Sequence, residues 1–165
     1  MKSRPNRLGA PAPHTYTLID EMMASPTAPL PESSRRHQLT VMWQGLAAIE
    51  TGAEPTNNDW RVVSDAVNLM ETFVLEMRIC ADTQGLLDDA VAALAMAGKR
   101  KLAGGAIRLD GVGIQATRAL LESYADLLDQ IPHRTLVQCH RMTERRIRKI
   151  MAGKRQPYDV EIIDL

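Results

Sequence analysis

The feature that most constrains this chain is a stripe of large apolar residues, Trp60, Val63, Val67, Met70, Val74 and Met77, spaced by alternating threes and fours. A repeat near 3.6 places all six on one face of a helix, and such a face must be covered by other parts of the fold. Thr56 stands ahead of the stripe as an N-cap, with Asp59 near the positive end of the helix dipole. Arg61, Asp65, Asn68, Thr72 and Glu76 fall mostly elsewhere, so the stripe reads as core or a helix–helix seam.

The rest of the chain supplies matching helices. Tyr16, Leu18, Ile19, Met22 and Met23 make a short one, stopped by Pro26, Pro29 and Pro31. A long helix is predicted to start at Ser33 or Ser34, to carry Leu39, Met42, Trp43, Leu46 and Ile49 on one face, and to close at Gly52 and Pro55. Another starts after Asp82, buries Leu86, Leu87, Ala90, Val91 and Leu94, and takes Gly98 as C-cap. Asp110 caps a fourth, with Ile114, Thr117, Leu120, Leu121, Tyr124, Leu127, Leu128 and Ile131 on its apolar face and Pro132 at its end. A fifth spans Thr135 to Ala152. The expectation is an all-α bundle of about five main helices, with a minor two-stranded pairing of residues 106–109 with 160–163. A chain of 165 residues suits one domain over 14–165, preceded by a disordered basic arm at 1–13. With one Phe, two Trp and three Tyr, the nine Met are expected to help fill the interior.

Charge is uneven although the formal net is zero. Residues 8–132 carry nine basic and sixteen acidic groups, a net of −7, whereas residues 133–156 carry eight basic groups and Glu144 alone, a net of +7. Local fields decide which ligands approach, so the basic C-terminal segment is the leading functional candidate. On one helix, Arg141, Arg145, Arg148 and Lys149 share a face, and Lys154 and Arg155 follow. Like charges on neighbouring turns repel, so an unpaired row suits an anionic surface, either nucleic-acid phosphate or an acidic protein. Solvation, or pairing with the acidic body, is the plain structural alternative.

The stretch from Thr135 to Pro157 resembles a repressor-type helix-turn-helix. Leu136 and Val137 stand inside the first helix, Met142-Thr143 at the turn with Thr143 as cap, Ile147 and Ile150 on the buried side, and Gly153-Lys154-Arg155 before Pro157 at the exit. The resemblance implies Glu144, Arg145, Arg148 and Lys149 near a DNA groove. It departs from the family at Arg141, where a small turn residue is usual, and at Val137, where Ala is. Separately, Asp59-Trp60 through Asn68-Leu69-Met70-Glu71, and Arg108-Leu109-Asp110-Gly111, are similar to helical proteins of proteobacterial genomes and mobile elements, which implies a bacterial or prophage setting and no activity.

Other chemistry is thinly supported. His133, Cys139 and His140 lack the carboxylate or second thiol of a zinc site, and adjacent Cys139 and His140 point apart on a helix. Gly111-Val112-Gly113 reads as a tight helix start in preference to an anion cradle. Asp88-Asp89 and Asp126 with Asp129 read as solvated faces. No matched base, nucleophile and oxyanion donor is apparent, so an enzyme is disfavoured and no cofactor or metal is expected. Two widely spaced cysteines, no secretory leader and no membrane-spanning run point to a cytoplasmic protein. The expected role is a non-catalytic regulatory protein. It binds nucleic acid through the basic segment or, alternatively, acts as an adaptor or inhibitor with an acidic partner, its Met-rich stripes allowing a homo-oligomer seam.

Overall fold

The computed structural model describes residues 15–52, 54–82, 85–153, 163 and 165. Among them every regular element is helical: α1 (Leu18–Met23), α2 (Glu32–Thr51), α3 (Asn57–Glu71), α4 (Leu86–Leu102), α5 (Gly111–Gln130) and α6 (His133–Met151). None of these helices is long and apolar enough to cross a membrane.

Helix α3 is the hub, in contact with α2, α4, α5 and α6. Its start follows the sequence reading: Thr56 Oγ1 accepts from Asp59 N at 3.2 Å, and Asp59 Oδ2 accepts from Thr56 N at 2.7 Å. The pair satisfies free amides reciprocally at the first turn. Most of the stripe then enters the core: Val63, Val67 and Met70 are at most 4% exposed, Val74 and Met77 are half-buried, and Phe73, outside the predicted stripe, is fully buried. Trp60 is buried too, and its indole N–H donates to the Leu94 carbonyl of α4 at 2.9 Å. Leu46 and Ile49 of α2, Leu87 and Leu94 of α4, and Leu120, Leu121, Tyr124 and Leu128 of α5 complete this core.

The stripe does not stay α-helical to Met77. At Thr72–Glu76 the chain widens into a π turn, and Met77 N donates to Thr72 O at 2.9 Å. Single π turns accommodate an inserted side-chain interaction that an α-helix would refuse. Here the Thr72 hydroxyl lies 2.6 Å from that of Thr143 on α6.

Several boundaries differ from expectation for identifiable reasons. Helix α2 begins at Glu32 behind Pro31, whose fixed φ suits a helix entry, and no serine caps it. Helix α4 opens after Gly85, while the Asp82 carboxylate accepts from the amides of both Leu86 and Leu87 at 2.9 Å. Gly98 is no C-cap: α4 runs on to Leu102, and Gly98 is buried because a Cβ there would lie 2.7 Å from Ile163 and 3.0 Å from Trp60. Gly113 likewise permits close packing of α5 on α4, since its Cβ would lie 2.5 Å from that of Ala93.

Among the described residues there is no strand, so the minor pairing is not supported. Residues 106–109 are an irregular link between α4 and α5 that buries Ile107, and Arg100 donates to the Arg108 carbonyl at 2.8 Å. That link meets its apolar demand against helices and needs no ladder. Residues 160–162 lie outside the described ones, as do the N-terminal arm expected at 1–13 and Lys154 and Arg155. The methionines divide: Met42 and Met70 are buried, but Met22, Met23, Met96 and Met151 are 61–81% exposed. Leu, Val and Ala fill most of the interior that methionine was expected to share.

Candidate functional site

Helix α6 carries the basic segment, and its two sides treat arginine in opposite ways. The inward side is Leu136, Val137, Cys139, Thr143, Arg146 and Ile150. Arg146 is only 6% exposed at its side chain, lies 2.5 Å from Glu71 and 3.6 Å from Glu76, and donates to the Asn68 carbonyl at 3.3 Å. Cys139 donates to the Leu69 carbonyl at 3.4 Å. The carbonyls before the π turn thus receive donors from α6, while Thr143 meets Thr72 at the same seam. Burial pushes the pKa of the Cys139 thiol up, which favours its protonated form. His140 lies against Tyr16, with ring centroids 4.8 Å apart.

This seam rules out the helix-turn-helix geometry. Helix α6 continues without a turn through Met142 and Thr143. Cys139, Thr143, Arg146 and Ile150, at steps of four, three and four, must all reach the seam, and only an unbroken helix delivers them there. Thr143 is buried inside the helix instead of capping a new one.

The outward side holds Arg145, Arg148 and Lys149, all exposed. Arg148 keeps 69% of its side chain accessible and pairs with Glu144 one turn back at 3.2 Å. Arg141, expected in this row, is withdrawn from it. It forms an ion pair with Glu21 of α1, and only 17% of its side chain is exposed. Gln138 donates to the same carboxylate at 3.0 Å. The Gln138 hydrogen bond, followed by Arg141, holds the Glu21 carboxyl below its usual pKa, and the field of Arg145 adds to the effect. Of the six expected binding residues, the structure therefore brings together Arg145, Arg148 and Lys149, assigns Arg141 to an internal contact, and leaves Lys154 and Arg155 outside the described residues.

Two other candidates are accounted for by their local geometry. At Gly111-Val112-Gly113 the Asp110 carboxylate accepts from Gly113 N at 2.6 Å, so a protein carboxylate already occupies the helix start. An open groove of about 650 Å³ beside α2 is lined by Arg35, Leu39, Trp43 and Asp129 among others, and Arg35 and Asp129 pair across it at 2.7 Å. Its charges are spent on one another. Among the described residues no group of three His, Cys, Asp or Glu side chains is placed to hold a metal ion.

What sequence reasoning missed is the orientation of α1, a short helix that the spacing itself predicts. Arg134 donates to the carbonyls of Glu21, Ala24 and Met22 at 3.0–3.2 Å, which satisfies the last turn of α1 from the side of α6. In return, the amides of His133 and Arg134 donate to the carbonyls of Ala28 and Ser25. The polar side of α1 therefore faces the protein, and its apolar residues Leu18, Ile19, Met22 and Met23 face outward at 57–81% exposure. The Thr17-x-x-Asp20 pattern, the same as at Thr56, signalled this helix but not its orientation.

Compared with family models, with curated proteins and with solved structures, the chain finds no match.

Proposed function

We propose that this protein acts by binding, as an interaction module whose exposed cations on α6 engage an acidic surface of a partner protein. The observation that supports this reading is the division of labour along α6. Arg146 and Arg141 are consumed within the fold, and Arg145, Arg148 and Lys149 remain as a short cationic row on a helix anchored along its length. A row of three is a modest electrostatic footprint. A duplex would also approach residues 8–132, whose net charge is −7. That body repels the long phosphate surface of a duplex more than it repels a compact acidic patch that meets α6 alone.

Nucleic acid is the second reading, kept because the +7 of residues 133–156 includes Lys154 and Arg155. Binding of labelled polyglutamate and of a labelled duplex, each titrated with salt, separates the two. Wild type is compared with Arg145→Ala/Arg148→Ala/Lys149→Ala. Polyglutamate binding that is lost in the variant, with weak duplex binding at physiological salt, is expected. Duplex binding that falls steeply with salt and drops in the variant transfers the function to nucleic acid. Binding of neither probe removes the cationic row as a functional site.

A further inference from the structure

We infer that the outward strip of α1 and the cationic row of α6 form one docking surface, whose occupant is an amphipathic helix of a partner protein with carboxylates beside its apolar side chains. The inference rests on the reading of α6 just given and extends it to the partner's shape and composition.

Helix α1 is amphipathic in the inverted sense. Leu18 and Met22 form one row and Ile19 and Met23 the adjacent one, both at helical spacing, and all four are exposed by more than half. The helix buries no residue of its own. Its contacts with α6 include Arg134 on its last carbonyls, and Gln138 and Arg141 on Glu21. Four large apolar side chains side by side in water mark a surface awaiting a partner. Met supplies adaptable contact of the kind that interaction surfaces favour.

The occupant follows from charge and register. Tyr16 lies at His140, Glu21 at Gln138 and Arg141, and Ala24 at Arg134, so α1 runs antiparallel to α6. The first turn of α1 therefore points toward Arg145, one turn beyond Arg141, with Arg148 and Lys149 next and exposed Met151 beyond. A helix laid along this line meets an apolar strip and then a cationic end. The complement is an apolar face bordered by Asp or Glu. Anionic lipid fits less well, because helices that lie in such interfaces carry Lys and Arg on the polar side, whereas α1 carries Asp20 and Glu21 there. A second copy fits less well because this surface, meeting itself across a two-fold axis, offers an apolar strip and cations but no row of carboxylates to receive them.

The test is a displayed library of short helical peptides selected on the full chain, with the enriched peptides then measured by fluorescence anisotropy. Enrichment of peptides with apolar residues at three- and four-residue steps flanked by Asp or Glu is expected. Ile19→Ser/Met23→Ser and Arg145→Ala/Arg148→Ala should each weaken their binding about tenfold, the second also flattening the salt dependence. Circular dichroism should show both variants folded, since all four positions are exposed. Acidic peptides that ignore Ile19→Ser/Met23→Ser sink the α1 inference and leave the α6 reading standing. Apolar peptides without acids that ignore the Arg variant do the reverse, removing the α6 reading. No enrichment overturns the surface altogether. Two parallel arms name the other occupants: loss in the Ser variant of wild-type binding to phosphatidylserine vesicles assigns the strip to lipid, and loss of a concentration-dependent dimer in sedimentation assigns it to a second copy.

Discussion

Helices α1 and α3 open with the same device and end in opposite environments. Thr17 with Asp20 and Thr56 with Asp59 form the same capping box, with matching bonds of 2.7 and 3.2 Å. Both helices carry large apolar side chains at helical spacing. Yet α3 sends its stripe into the core, and α1 buries nothing. The caps specify where a helix begins, and the neighbouring element specifies which side turns inward. For α3 that neighbour is a set of apolar faces. For α1 it is the Arg134, Gln138 and Arg141 side of α6, which attracts carbonyls and a carboxylate and leaves the methionines outside.

The contrast can be broken in three places. The largest effect belongs to the α3 side, where Arg146→Ala removes the guanidinium paired with buried Glu71 in the seam. It should cost about 3–5 kcal/mol in urea unfolding, as removal of one partner of a buried pair does; a loss below about 1 kcal/mol would mean that water already reaches the pair. Next come the two caps. Thr56→Ala should lower global stability by about 1 kcal/mol, whereas Thr17→Ala should leave the midpoint unchanged and speed hydrogen exchange only in α1. Equal effects on the midpoint would show that α1 belongs to the cooperative core. The smallest effect is that of acid. The pKa of Glu21 is depressed in the folded protein, so its contribution is present above the unfolded carboxylate value of about 4.3 and is lost as pH falls through the depressed value. Amides of α1 should therefore lose protection ahead of those of α3 on acidification, and Glu21→Gln should abolish that difference.

Much of the fold is legible in residue spacing. The five main helices, the Thr56 and Asp110 caps and the stop at Gly52 all follow from periodicity and capping chemistry. What escapes depends on contacts remote in sequence. Gly98 looks like a terminus until Trp60 and Ile163 are seen to need its missing side chain. The π turn at Thr72–Glu76 is invisible in residue spacing, and the side chains that meet it and the turn before it, Thr143, Arg146 and Cys139, lie 70–78 positions away. The cationic row was half legible: charge counting finds the segment, but Arg141, Arg145 and Arg146 are alike in composition and differ only in what each faces. The helix-turn-helix resemblance failed for the same reason, since Thr143 can cap a helix or pair with a buried hydroxyl, and its own neighbours do not decide between them.

The bonds from Arg134 and Gln138 to α1 join residues 110–117 positions apart. During synthesis α1 is made more than a hundred residues before the α6 side chains that hold it. Until then the contacts that set its orientation are missing, which leaves four large apolar side chains open to premature association. The outward strip thus depends on contacts of long sequence separation, and its orientation is set only once α6 is in place.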